Sequence, residues 1–161
     1  MKIGVLADIH IPQRADKLPD KLLEELKGVD MIILAGDLTV VSILKTLKEI
    51  APVVAVRGNM DEPEVYRVLD IKEVVTAGKF RIGVFHGFGS PHRLIEVLKA
   101  EFKDDRVDVI VFGHSHQPMN EYRDGVLFFN PGSPTDKMFA PYSSYGIIEV
   151  NDELKAEIKR L

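Results

Sequence analysis

The 161-residue chain contains no cysteine and no tryptophan. Without thiols, disulfides, thiolate zinc sites and cysteine nucleophiles are excluded as a group, so any metal must be held by nitrogen and oxygen. No apolar run approaches the roughly 20 residues that a membrane-spanning helix needs. The first stretch, MKIGVLADIHIP, is interrupted by Asp8 and His10 and lacks the unbroken apolar core of a secretory signal, so a cytoplasmic protein with no membrane partner is expected. Lysines and arginines number 21 against 25 acids, a net charge of -4. They are scattered among the acids, and no basic stripe is present to follow duplex nucleic acid.

What is present is the balance of a globular protein, with 45% hydrophobic and 29% charged residues. The length suits one domain with a real core, spanning 1–161. Short Val- and Ile-rich runs stand at 2–7, 30–35, 53–57, 81–85 and 107–112. They do not alternate polar with apolar residues, which is how strands buried on both faces read. Helical patterns separate them. PDKLLEELK at 19–27 places Leu22, Leu23 and Leu26 on one stripe, and Thr39 is placed to cap a helix carrying Val40, Ile43, Leu44 and Leu47. Ser90-Pro91 reads as the start of a helix through HRLIEVLKAEF. A hairpin is expected around Gly78-Lys79, followed late in the chain by strands at 125–130, 145–150 and 154–161. The class is α/β.

Each early strand is followed by a residue able to bind a metal. KIGVLA leads to Asp8 and His10, MIILAG to Asp37, VVAVRG to Asn59, RIGVF to His86, and VDVIVFG to His114 and His116. Ligands of open α/β sheets collect at the carboxyl ends of the strands, so these groups are expected to converge at one edge. If the chain stays extended, Asp8 with His10 and His114 with His116 point the same way and form local pairs. Taken singly, most of these residues read more simply as turn or cap residues. It is their coincidence at five strand ends, using four of the five histidines, that indicates a site.

Seven ligands exceed the four or so that one zinc takes, so two ions fit better than one. Imidazoles with carboxylate and amide oxygens admit most divalent transition metals, with manganese first and nickel, iron, zinc or cobalt as alternatives. Two cations roughly 3.5–4 Å apart need a shared ligand, for which the Asp37 carboxylate is suited. Such a centre supplies a bridging hydroxide and neutralises a phosphoryl oxygen during in-line attack.

The ordered blocks DIH at 8–10, GDL at 36–38, GNMD at 58–61, HG at 86–87 and GHSH at 113–116 resemble the motifs of the calcineurin-like metallophosphoesterases, especially their small bacterial and archaeal phosphodiesterases. The resemblance covers nearly the whole chain and includes a late NPGS turn at Asn130 to Ser133. It implies a four-layer α-β-β-α sandwich of two mixed sheets flanked by helices. It also implies that Asp8, His10 and His116 hold one metal, that Asn59, His86 and His114 hold a second, and that Asp37 bridges them. Asn59 would in addition approach the substrate phosphate.

One position departs from the pattern. Many members carry a histidine where this chain has Met60; that residue protonates the leaving alkoxide, and Asp61 would orient it. Methionine has no proton to transfer, and a general acid is worth about 10²–10⁴ in rate. Substrates with good leaving groups are therefore favoured; the family's small diesterases often lack this histidine too, so the resemblance implies small phosphodiesters over monoesters. His92 does not replace the missing acid; it is expected to be a solvated residue at a helix start. A phosphomonoesterase or nucleotidase is the alternative activity. A scaffold is the alternative class, since the retromer complex contains a metallophosphoesterase-like subunit used for assembly. The charged terminal strand is expected at a sheet edge, where it could also pair in a homo-oligomer.

Overall fold

The computed structural model describes all 161 residues. Its elements run β1 (Lys2–Leu6), α1 (Asp20–Leu26), β2 (Met31–Ala35), α2 (Val41–Lys48), β3 (Val53–Val56), α3 (Pro63–Val68), β4 (Lys72–Ala77), β5 (Phe80–Phe85), α4 (Leu94–Glu101), β6 (Val109–Val111), β7 (Met119–Arg123), β8 (Val126–Asn130), β9 (Ser144–Val150) and β10 (Leu154–Arg160). They form two mixed sheets of five strands, ordered β10-β9-β1-β2-β3 and β4-β5-β6-β8-β7. In the first sheet β1, β2 and β3 are parallel; in the second β5, β6 and β8 are.

The non-alternating runs explain how these sheets stack. Along β1 and β2, Ile3, Val5, Ile33 and Ala35 face the space between the sheets, while Leu6, Ile32 and Leu34 face the outer helices. The second sheet divides in the same way. Val109, Val111, Leu127 and Phe129 join the inter-sheet core, whereas Ile110, Phe112 and Phe128 meet Leu94, Leu98 and Phe102 of the α4 region. Three apolar layers thus separate α1–α3, the two sheets and α4, giving the α-β-β-α sandwich. Each fully buried aliphatic side chain in these layers contributes about 1.5–3 kcal/mol relative to exposure.

Several local expectations need correction. Thr39 does not cap α2: Val40 precedes the helix without a side-chain cap, and Thr39 sits at φ 76° with its N–H on the Asp61 carboxylate. Ser90-Pro91 opens a 3₁₀ turn over Pro91–Arg93 that runs into α4, and the Ser90 hydroxyl makes no capping bond. Helix α3 and strand β7 carry no pattern that announces them. One is a six-residue helix, started by Pro63, that buries only Val65. The other, MNEYR, is an exposed edge strand paired only with β8. The hairpin β4–β5 forms as expected, with Gly78 at φ 58° in its turn. Strand β10 lies at a sheet edge and places Leu154, Ala156 and Ile158 against the inter-sheet core. No helix is long and apolar enough to cross a membrane.

Candidate metal centre

The carboxyl ends of β1, β2, β3 and β6 open onto one cleft of about 880 Å³, which the loop after β5 reaches at Pro91. The chain does not stay extended there. Asp8, His10, Asp37, Thr39, His114 and His116 all have positive φ, between 45° and 76°. Such backbone is costly for residues with a Cβ and collects at functional sites. The expected strand-spaced pairs are therefore replaced by tight loops beyond the strand ends, and each loop aims alternate side chains independently.

Five of the seven residues come together. Asp8, His10 and His116 form one group of converging ligand atoms, and Asp8, Asp37 and His86 form another. His10 Nε2 lies 3.2 Å from His116 Nε2, and Asp37 Oδ2 stands between 3.5 Å from His10 Nε2 and 3.2 Å from His86 Nε2. All five residues are buried, although His10, Asp37 and His116 also line the cleft. Glycines permit this crowding. A Cβ on Gly58 would overlap Asp37 Oδ1, and one on Gly113 would come within 3.0 Å of Asp8 Oδ2.

The remaining two stand on the rim. His114 Nε2 donates to the Gly89 carbonyl at 2.8 Å, and its Nδ1 lies 3.0 Å from Asn59 Oδ1. The two members of GHSH therefore diverge: His116 enters the cluster while His114 pairs with Asn59.

Two buried polar atoms in the cluster have no hydrogen-bond partner, Asp8 Oδ2 and His86 Nε2. His86 Nε2 approaches Asp37 Oδ2 closely, but out of line for a hydrogen bond, so the approach is a charge contact. Orphaned ligand atoms of opposite type, both facing a carboxylate–imidazole cluster, are what a cation would satisfy. The ring tautomers agree. His86 Nδ1 donates to the Ala35 carbonyl at 2.8 Å, and His116 Nδ1 donates to Asp136 Oδ2, so both rings turn Nε2 toward the cluster, the atom open to a metal that displaces any proton there.

Burial pushes the Asp8 carboxyl up, against the pull of His86 and His116. It pushes His10 down, outweighing the attraction of Asp37. For Asp37 burial acts upward, but His86 and the Met60 N–H prevail and hold it low. His86 is driven down by burial, yet Asp37 and Asp8 raise it to about 9. A carboxylate kept ionised beside an imidazole kept protonated is a charge pattern that a divalent cation can replace.

Three supports brace the site in ways that the sequence does not reveal. Asp136, fully buried, orients His116. Both Asp61 oxygens are taken up by backbone, accepting the N–H groups of Gly58 at 2.7 Å, Thr39 at 2.6 Å and Asp37 at 3.2 Å and bracing two site loops. Within the NPGS turn, Asn130 Nδ2 donates to the Gly113 carbonyl and Ser133 Oγ to the Asp8 carbonyl. The turn signal there was legible, but its hold on the metal-facing loops was not. His92 is exposed and does not line the cleft.

A two-sheet sandwich that gathers carboxylates and imidazoles at one open edge defines a protein of the metallophosphoesterase class. The chain belongs to the calcineurin-like phosphoesterase superfamily, whose domain model matches residues 1–153. It is 40% identical over 161 residues to a probable metallophosphoesterase of Methanocaldococcus jannaschii, covering 98% of this chain and 80% of the relative. A probable metallophosphoesterase of Methanothermobacter thermautotrophicus is 35% identical, covering 99% and 92%. Among solved structures, Vps29 of Chaetomium thermophilum superposes with a TM-score of 0.83 at 27% identity, covering 100% of this chain and 97% of the other. The family acts on phosphoesters and binds divalent metals, for which the two Asp/His groups are the candidates here.

Proposed function

We propose that the chain is a single-domain, metal-dependent phosphodiesterase for small phosphodiesters. The observation that carries this reading is the place of Asp37, a member of the second ligand group whose Oδ2 also lies 3.5 Å from His10 Nε2 of the first. In this arrangement Asp8, His10 and His116 would hold one divalent ion and Asn59, His86 and His114 the other, with Asp37 shared; manganese is the first choice, with nickel, iron, zinc or cobalt as alternatives. Asp8 is common to both groups but lies behind the cleft wall, whereas Asp37 lines it, so Asp37 is the better bridge. His114 and Asn59 would join by turning inward from the rim. Bound cations would supply charge neutralisation and an activated water for attack on phosphorus.

The chain's own residues bind and orient. Asn59 lines the cleft and offers an amide to a phosphate oxygen. Met60, 52% exposed, also lines the cleft where a proton donor would stand, and offers none. Leaving groups that need no protonation are therefore preferred. Bis(p-nitrophenyl) phosphate and p-nitrophenyl phosphate release the same leaving group, so comparing them on metal-loaded protein reads the substrate class alone: the diester should be hydrolysed faster, and faster monoester turnover would move the assignment to a phosphomonoesterase or nucleotidase.

The raised His86 has a consequence for loading. At neutral pH the metal-free ring holds a proton that a metal must displace. Affinity should thus rise with pH, up to about tenfold per unit for one proton, and level off above about 9, where the ring is already neutral. Calorimetric titration of manganese in buffers of different ionisation enthalpy measures the released proton, and a pH-independent affinity would argue against His86 as a ligand.

The likeness to Vps29 supports a second reading, a scaffold that uses this fold to bind protein partners. Converging buried ligands do not by themselves separate the two readings, since Vps29 of Entamoeba histolytica has been solved with bound zinc; turnover by the metal-loaded protein does.

A further inference from the structure

We propose that Phe139 and Arg14 form a subsite for a planar aromatic ester group, so that the preferred diesters are nucleotide-like; this rests on the phosphodiesterase reading above. The cleft, at about 880 Å³, has the size of a small-molecule site. Its lining is polar except for Met60, Pro91 and Phe139. Phe139 leaves 57% of its surface exposed there, yet it is held firmly. Its N–H donates to Asp136 Oδ1 at 3.3 Å and its carbonyl accepts from Gln117 Nε2 at 2.8 Å.

The same Asp136 receives the His116 Nδ1–H through its other oxygen. One buried carboxylate therefore fixes both a metal-facing imidazole and the aromatic rim, with the Phe139 and His116 ring centroids 6.1 Å apart. A planar group stacked on Phe139 would lie next to the phosphate being attacked. Arg14 is the only lysine or arginine lining the cleft. It sits one turn beyond His10, its N–H on the His10 carbonyl at 2.8 Å, and its guanidinium lies 5.1 Å from the Phe139 ring centroid. Its only carboxylate neighbour, Asp136 at 3.9 Å, is already engaged by His116 and by the N–H groups of Met138 and Phe139. One donor, Nη1, is directed to Met138 Sδ at 3.7 Å; the guanidinium backs the ring and keeps its remaining donors for a phosphate oxygen. Aromatic stacking tolerates any base, because every base has a π-face.

Two diesters with the same leaving group isolate the subsite: bis(p-nitrophenyl) phosphate and methyl p-nitrophenyl phosphate differ only in the group that stays. In Phe139→Ala the ratio of their kcat/KM values should fall about tenfold, the scale of one lost stacking contact, and Phe139→Tyr should restore it. Arg14→Gln should raise KM for both substrates. Binding gives an independent arm: AMP should bind the metal-loaded protein about tenfold more tightly than ribose 5-phosphate, and Phe139→Ala should remove that advantage. An unchanged kcat/KM ratio in Phe139→Ala, or equal affinities for the two phosphates, overturns the subsite. If the protein hydrolyses neither diester with any metal, the phosphodiesterase reading fails, and the AMP comparison alone decides the subsite.

Discussion

Asp37→Ala and His116→Ala are each expected to abolish metal-dependent phosphodiester turnover while leaving the protein folded. The loss should be at least about 10²–10³-fold, the cost of deleting one preorganised electrostatic contact from an active site. It should be larger for Asp37, since its carboxylate lies within 3.5 Å of an imidazole from each ligand group. The fold should tolerate the change, because neither residue belongs to the apolar layers. Removing Asp37 leaves the Met60 N–H without its 2.8 Å acceptor, a cost of about 1 kcal/mol at most, since Met60 is half exposed and water can reach the donor. It also removes a neighbour that pushes the buried Asp8 up, which offsets part of that cost. Asp37→Asn, which keeps an acceptor oxygen, separates the effects: stability should recover and activity should not. Turnover of bis(p-nitrophenyl) phosphate with added manganese, beside far-UV circular dichroism, reads both. Unchanged activity in both alanine variants would reject the shared-carboxylate centre.

The second large effect falls on stability. Asp61→Ala removes the acceptor of three backbone N–H groups, two of them from the Asp37 and Thr39 loop and one from Gly58. Each buried donor left unpaired costs about 1–3 kcal/mol, so a loss of about 3–5 kcal/mol is expected after partial relaxation. That is a large share of the 5–15 kcal/mol by which domains are stable. Activity should fall as well, because Asp37 and Asn59 ride on the loops that Asp61 joins. Asp61→Asn should lie between, keeping one acceptor while pointing amide hydrogens at the remaining donors. Denaturant unfolding at fixed pH measures the difference. A change under 1 kcal/mol in Asp61→Ala would show that the loops hold without this brace.

The sequence disclosed the strand ends more readily than the bracing between them. Asp8, Asp37 and His86 stand out because each interrupts an apolar run where the chain leaves the core, and both sheets deliver their parallel strands to the same edge. Asp136 and Asp61 give no such signal. They act across 20 and 24 residues on His116 and Asp37, through contacts that exist only once the loops are folded. GHSH shows where local spacing misleads: left-handed backbone at His114 and His116 sends one imidazole into the cluster and the other to Asn59. Among the elements, β7 was invisible because an exposed edge strand has no buried face to impose a pattern. The layers were accessible because β1, β2, β6 and β8 are apolar on both faces, as strands between two packed layers must be.

The most direct measurement is hydrolysis of bis(p-nitrophenyl) phosphate and p-nitrophenyl phosphate by metal-stripped protein, before and after adding manganese, nickel, iron, zinc or cobalt one at a time. The expected result is no turnover without metal, recovery with at least one of these ions, and preference for the diester. Diester hydrolysis that persists without metal, or that no ion restores in folded protein, would contradict a metal-dependent phosphodiesterase.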